Sequence, residues 1–432
     1  MEISGFKDIV CVDGFFYRLQ INTHETCRFS VLLSEENVSN CMAQLGKSCT
    51  VEDDVFRFSG TVTSVSVKRG MDWCRVEAVV QGGTLRLDRE ERCRVFQSAE
   101  KNISDILKKM GVSEISCCNE DGREIQEVLV QEHETDWQFL KRLAAYTGTY
   151  LFPGEKAWIG GPLKAVESIE NEEILELRVE LDHKRGSAVC QTTKRLKIGT
   201  RVQFYGKDFF VDGVTYRKCR EEYLFEYHLL EDMAAPEPAG LPAHLLPARV
   251  TDNADPEKRG RVRLEFTEPY EDVMAEDGIW VECATPWASE GLGVACVPWK
   301  DDVVEVRVYN GEACVSHARR KTAFDSRFQE ADSRYLFAGE HTWMMLNDEK
   351  IMVDNSKYRC TITDDKFTLC FGDKLTVSME EGKLTLHADT TDLEVSGGTK
   401  LVTQGFEMDG KNKAAITAST VEIKGKSGVS IN

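Results

Sequence analysis

The chain has 432 residues, 41% hydrophobic and 29% charged, and its 54 basic and 73 acidic side chains leave a net charge of -19. That is length and apolar content for two or three domains with real cores, and no run approaches the roughly 20 apolar residues of a membrane helix. So acidic a chain is repelled by phosphate backbones and anionic bilayers, which sets aside nucleic-acid and lipid-headgroup binding as its main work.

The opening stretch, MEISGFKDIVCVDGFFYRL, lacks the basic-then-apolar layout of a secretory signal, so synthesis in a cytosol without general secretory export is expected. Residues 1–235 then alternate strand-like and helix-like pieces. FFYRLQI and RFSGTVTSVSV are rich in β-branched and aromatic residues. SDILKKM predicts a short helix stopped at Gly111. A stronger helix begins at Thr135, which makes a capping box with Gln138. Phe139, Leu140, Leu143 and Ala144 give it one apolar stripe, and Gly148 ends it. RVQFYGKDFFVDGVTYR and EEYLFEYHLL read as strands.

Proline divides the remainder of the chain. Pro236, Pro238, Pro242 and Pro247 crowd one stretch, which predicts a stiff extended linker over 236–247. Residues 248–320 hold the short strands ARVTDN, GRVRLEF, GIWVECAT and DVVEVRVYN, a spacing that predicts a small closed barrel. The turn between the first two carries Asp255-Pro256 and Gly260. Residues 321–349 are expected to be a connector. After Pro298 there is no proline for 134 residues, as continuous strand pairing requires.

The tail, 350–432, is an array. Leu375-x-Val377, Leu384-x-Leu386 and Leu393-x-Val395 recur at nine residues, and Val421-x-Ile423 and Val429-x-Ile431 at eight, with glycines between them. Lys and Asp/Glu on the other face are nearly balanced, 11 basic against 12 acidic. Strands this short cannot stand alone, and open sheet edges are an aggregation hazard. An ordinary β-domain of nine-residue hairpins is one way to pair them; winding three chains into a triple-stranded β-helix, the reading preferred here, closes every edge and turns the apolar face to a common axis. The axis core is then Leu375, Val377, Leu384, Leu386, Leu393, Val395, Val421 and Ile423. Each strand takes its ladder neighbours from other chains, and Val429, Ser430, Ile431 and Asn432 form a tip with unpaired backbone that a cap would cover.

Three of these segments resemble the VgrG spike proteins of type VI secretion and the hub-spike proteins of contractile phage tails. Val128 to Phe152, VLVQEHETDWQFLKRLAAYTGTYLF, is similar to the family's acidic residue, x, Asp, then aromatic, Leu, x, Arg, Leu. Ala248 to Phe266 is similar to the opening of the family's oligonucleotide/oligosaccharide-binding-type (OB) barrel. The glycine-punctuated tail is the third, and the order is the family's. The resemblance implies a mainly β chain with some helix. It has a hub of β-barrels with short helices, an OB-type collar and a trimeric β-helix needle. It implies a homotrimer whose partners are an Hcp-like tube ring, baseplate wedge proteins, a PAAR-like tip protein and effector cargo, with transient contact to a target membrane. The particle would be assembled in a bacterial cytoplasm and leave the cell on firing. The N-terminal part is short beside that of VgrG proteins, so a phage-like or free-particle system fits the same pattern.

Chemistry finds no foothold. Gly46-Lys47-Ser48 and Gly425-Lys426-Ser427 lack the first glycine of a phosphate loop, and Gly291-Leu292-Gly293 runs on to Cys296 rather than to a third glycine. There is no GxSxG or HExxH. The 15 cysteines, from Cys11 to Cys370, include one adjacent pair, Cys117 and Cys118, but no CxxC. They are expected to be free thiols rather than metal ligands. No catalytic residue, metal or cofactor is expected, and His387 alone makes no axial metal site. Two competing classes remain. One is an OB-fold protein binding nucleic acid or glycan through Arg249, Lys258, Arg259, Arg261 and Arg263, with Trp280, Trp287 and Trp299 to stack bases. The other is a cell-wall-degrading tail enzyme. Residues 244–320 hold 9 basic and 15 acidic residues, the wrong sign for a phosphate groove, so the arginines are expected to pair with local acids or with a neighbouring subunit.

Overall fold

Alternating burial along the first strands sets the first layer. The computed structural model describes the chain except residues 72, 98–101, 119–127, 155, 182, 184, 220–221, 233–239, 275–277, 287, 290–291, 295, 320–331, 338–340 and 429–432. It divides into two units, Met1–Lys321 and Thr322–Asn432.

In the first unit, Cys74–Gln81 buries Cys74, Val76, Ala78 and Val80 in turn, as period-two alternation demands. Its antiparallel neighbours are Arg57–Arg69 and Thr26–Leu33. The strand Ile9–Gln20 then joins two halves of the hub: it pairs with Thr26–Leu33 on one side and with Lys207–Cys219 on the other. Pairing continues through Glu222–Glu231, Ser187–Thr192 and Ile174–Glu180. Most hub strands thus belong to one eleven-stranded sheet. Aromatic rings fill its core. Tyr216 stacks on Phe56 at 5.1 Å and on Phe225 at 5.0 Å.

A helical layer carries a second core. Ile103–Met110 starts at Asn102, whose side chain accepts the Asp105 N–H, and stops at Gly111 with φ 70°. Asp136–Thr147 starts at the Thr135–Gln138 capping box and stops at Gly148, also at φ 70°. Both helices form as the sequence predicts, because caps and apolar stripes are local signals. Their buried faces meet Phe96, Leu151 and Ile159.

The OB-type barrel closes from His244–Asp252, Val262–Phe266, Trp280–Cys283, Glu312–Arg319 and Val303–Tyr309. Asn310 and Gly311, both at positive φ, make the two-residue turn between the last two in chain order. The barrel begins earlier than expected. Leu245 to Pro247 already pair with Arg307 to Glu305, so the second half of the proposed linker is strand. Pro236 and Pro238 lie outside the described residues, as does Trp287.

The second unit is a seven-stranded antiparallel meander from Arg334–Phe337 to Lys383–Ala388. Two expectations are corrected here. The sheet starts within the stretch read as a connector, at Arg334 rather than 350. And its ladders over Arg334 to Ala388 pair consecutive strands of the chain, joined from Trp343 onward by two- or three-residue turns, where a wound trimer takes ladder neighbours from other chains. Residues 389–428 form no strand pairing, and every one of them is exposed.

Candidate assembly surfaces

The hub and barrel of the first unit are locked by shared structure. Glu271–Met274, an insertion between barrel strands, runs parallel to the hub strand Glu91–Gln97, which also pairs with Leu129–Thr135. The barrel core, built from residues such as Val250, Leu264 and Val306, is completed by three hub residues, Val95, Val128 and Val130. Polar groups fix the joint. Arg94 Nη1 donates to Asp136 at 2.9 Å and its Nε to Glu271 at 3.1 Å. Gln97 donates to both oxygens of Asp272, which also accepts the Phe266 N–H at 2.7 Å. Burial raises the Asp272 carboxyl. Glu132 accepts from the Tyr270 hydroxyl and sits 2.7 Å from His244 Nδ1; the Tyr270 bond, chiefly, holds its carboxyl low.

This geometry explains the residues that carried the resemblance. Arg142 grips Glu134 through two bonds of 2.9 and 2.6 Å and the Val130 carbonyl at 2.6 Å. Asp136 opens the helix, where a carboxylate suits the positive end of the dipole, and receives Arg94. Behind the helix, His24 stacks on Trp137 at 4.3 Å, with Nδ1 3.0 Å from Thr84 Oγ1 and Nε2 3.3 Å from Asp88. Burial lowers its pKa.

In the barrel turn, Asp255 accepts the backbone N–H groups of Glu257 and Arg259 at 3.1 and 2.8 Å, and Arg261 Nη2 at 2.8 Å. Arg261 holds the Asp255 carboxyl far below the usual carboxylate range. The arginines do pair with local acids. Arg249 takes Glu265 and Asp301, Arg259 takes Glu282, and Arg261 takes Asp255 and Glu257. Arg263 lies over the Trp280 ring at 4.8 Å. The four arginines that a nucleic-acid groove would use are thus engaged within the barrel, although Trp299 stays exposed.

The second unit presents a different surface. Leu336, Met344, Val353, Cys360, Leu369, Val377 and Leu386 face one another across all seven strands, register by register. A parallel row runs Leu346, Ile351, Ile362, Phe367, Met379, Leu384. On the opposite side of the last four strands lie Thr361, Thr368, Ser378 and Thr385, beside the 2.6 Å Lys366–Glu380 ion pair. Eight residues of these two rows, including Ile351, Leu369 and Leu384, are 38–69% exposed. Contiguous apolar surface of this size marks a contact site.

Of the residues read as an axis core, Leu375, Val377, Leu384 and Leu386 share this face. Leu393, Val395, Val421 and Ile423 fall in the unpaired span 389–428, and Val429, Ser430, Ile431 and Asn432 lie outside the described residues. Sequence reasoning missed the same face upstream, from Met344 to Phe371, where the signal was apolar alternation diluted by Thr and Cys. It also missed Leu401, Phe406, Met408 and Ile416, which fill the gap in the repeat. Among the described residues, no group of three His, Cys, Asp or Glu is placed to hold a metal.

Two sequence families match the chain. One, described as phage tail baseplate hub (GPD), matches residues 23–160. The other, described as type VI secretion system/phage-baseplate injector OB domain, matches residues 246–315. No curated protein sequence matches. Among solved structures, the E. coli c3393 protein is similar at TM-score 0.53 and 17% identity, over 74% of this chain and 99% of that one. It is described as a component of the type VI secretion system with structural similarity to the T4 bacteriophage tail proteins gp27 and gp5. The Francisella PdpA–VgrG complex in its lidded form is similar at 0.53 and 7% identity, over 87% and 76% of the two chains. The lidless PdpA–VgrG complex gives 0.54 at 7% identity, over 87% and 94%. At such identities the likeness is one of fold.

Proposed function

Since the chain is VgrG-like, a hub-spike of the phage-tail and type VI kind, we propose that three copies form the structural tip of a contractile injection apparatus. The first unit serves as hub and collar, and the second as the spike. The role is mechanical and non-enzymatic. Contraction of a sheath drives the tube, and the narrow β structure concentrates that force on a target envelope.

One observation carries this reading, the apolar face that runs across all seven strands of the C-terminal sheet. Eight side chains of roughly 150–200 Å² each, about half exposed, leave on the order of 700 Å² of apolar surface per copy. A standard interface takes about 800 Å² from each partner. Identical copies suit this face as its cover, because its two rows hold no charged residue. The sheet as a whole, 334–388, carries 7 basic and 9 acidic residues, a net of -2, so its charges lie off the surface where copies would meet. Three such sheets, apolar sides inward, make a closed prism, and no ladder shared between chains is needed over Arg334 to Ala388.

In this reading the hub meets an Hcp-like tube ring and baseplate wedges. A PAAR-like protein, with or without effector cargo, caps the end near Val429 to Asn432, where a last layer leaves backbone groups unpaired. Contact with the target membrane is transient. Light scattering of the intact chain tests the core of the proposal. The expected mass is about three times 48.8 kDa. A stable monomer at micromolar concentration would defeat it.

A further inference from the structure

The C-terminal unit changes character at Ala388. Before it, every strand from Arg334 onward finds its ladder partner in its own chain. Beyond it, residues 389–428 have none, yet Leu393, Leu401, Phe406, Met408, Ile416 and Ile423 stand at least half exposed along them. Fixing one residue's backbone costs about 1–2 kcal/mol, so ordering such a ribbon alone costs tens of kcal/mol. No ladder or buried side chain inside the chain offsets it. The sheet before Ala388 has its ladders already, and lacks only a cover for one side.

We infer that copies of this chain recognise one another through the apolar face of the Arg334–Ala388 sheet, folded before the copies meet, and that residues 389–428 take up strand structure only afterwards, on the end of that assembled base. The inference rests on the trimeric reading above and adds an order and a division of labour to it. The strand Lys383–Ala388 sets the direction. It pairs with Leu375–Glu380 on one side, and its other edge presents an unpaired row of N–H and C=O groups. The next apolar pair, Leu393 and Val395, comes after only four residues, within reach of that edge by a short hairpin loop. Three such edges held at one level by the assembled base offer the ribbon neighbours that one chain does not have.

Two substitutions in the full-length chain separate the parts. Leu369→Asp puts a carboxylate in the middle of the recognition face, where each copy would bury it without a partner. Leu369 is 40% exposed in the single chain, so the sheet itself tolerates the change. Leu386→Asp, on the same row, serves as a second variant. Phe406→Asp places the same charge in the distal ribbon. The measurements are light scattering over a dilution series and amide hydrogen exchange resolved by peptide. Leu369→Asp and Leu386→Asp are expected to give monomers in which 334–388 keeps amide protection while 389–428 exchanges at unstructured rates. Phe406→Asp is expected to remain trimeric and lose protection beyond Ala388 only. A monomeric Phe406→Asp beside trimeric Leu369→Asp and Leu386→Asp would overturn the inference, as would a monomer with 389–428 protected. Either result leaves the trimeric spike standing if the unaltered chain is a trimer. A monomeric unaltered chain would remove both.

Discussion

Arg94→Met is the sharpest test of how the hub holds the barrel. The Arg94 side chain is 8% exposed and joins three elements, the hub strand, the first turn of the Asp136–Thr147 helix and the barrel insertion at Glu271. Removing one partner of a buried ion pair typically costs 3–5 kcal/mol, because the other charge stays behind unpaired. Two features reduce that here. Asp136 keeps a 3.0 Å bond from Gln131 and its place at a helix N-terminus, worth roughly 0.3–1 kcal/mol. The Glu271 arm is largely solvated, so its loss contributes about 0–1 kcal/mol. The expected cost is about 2–4 kcal/mol. At roughly 2 °C per kcal/mol for a unit of this size, that lowers Tm by about 4–8 °C in calorimetry at fixed protein concentration. Adding Asp136→Asn should recover part of the loss, since the stranded charge is gone. A shift under about 1 °C for Arg94→Met, or strictly additive losses in the double variant, would refute the claim that this pair fastens the joint.

Three other perturbations probe the same unit. Val130→Ala should cost about 2 kcal/mol and lower the barrel transition seen by tryptophan fluorescence, because Val130 completes a barrel core from a hub strand; an unchanged barrel transition would mean the cores are separate. His24 is held neutral by burial, so its folded pKa lies below the ordinary value of about 6.5. Its stabilising contribution is complete above about 6.5 and is lost as pH falls from there through the lowered folded value. His24→Gln should flatten that part of the stability–pH curve, and an unaltered slope would place the acid-sensitive group elsewhere. Asp255→Ala should release the turn at 253–261, read as faster tryptic cleavage at Lys258 and Arg259. Because Arg261 holds the Asp255 carboxyl low, the turn of the unaltered chain should keep its protection from neutral pH down past about 4, the ordinary carboxylate value, and lose it only in stronger acid. Loss of protection already near pH 5 would contradict this.

How much could be read in advance tracks the range of the interactions. The Thr135–Gln138 capping box and the stops at Gly111 and Gly148 are set within a few residues, and each formed where the sequence places it. The barrel strands announced themselves by length and alternation. The joint did not, because Arg94 and Glu271 stand 177 residues apart and nothing local to either names the other. The merging of the hub into one sheet depends likewise on Phe16 to Gln20 meeting Arg217 to Gly213. In the tail the spacing was legible but the partner of each strand was not. A repeat of eight or nine residues with tight turns suits a shared ladder and a meander equally well, and chain connectivity favours the meander first.

The two units treat their polar and apolar groups in opposite ways, and that contrast bears on how a spike is built from identical chains. In the hub and barrel, charges that cluster in sequence, such as Arg249 to Arg263, find acids in the same chain. The apolar cores there are closed by residues of the same unit. Such a unit needs no second copy to close its cores. The C-terminal sheet has its ladders but an open apolar side, whose two rows hold no charged residue. In the proposed trimer, association is therefore concentrated on that open apolar side, while the closed unit contributes rigidity. A change that removes trimerisation should act through the face carrying Leu369 and Leu386 and leave the hub melting transition in place. If a monomeric variant at that face also lost the hub transition, folding of the hub would depend on assembly, and the division between a self-sufficient hub and a copy-dependent spike would fail.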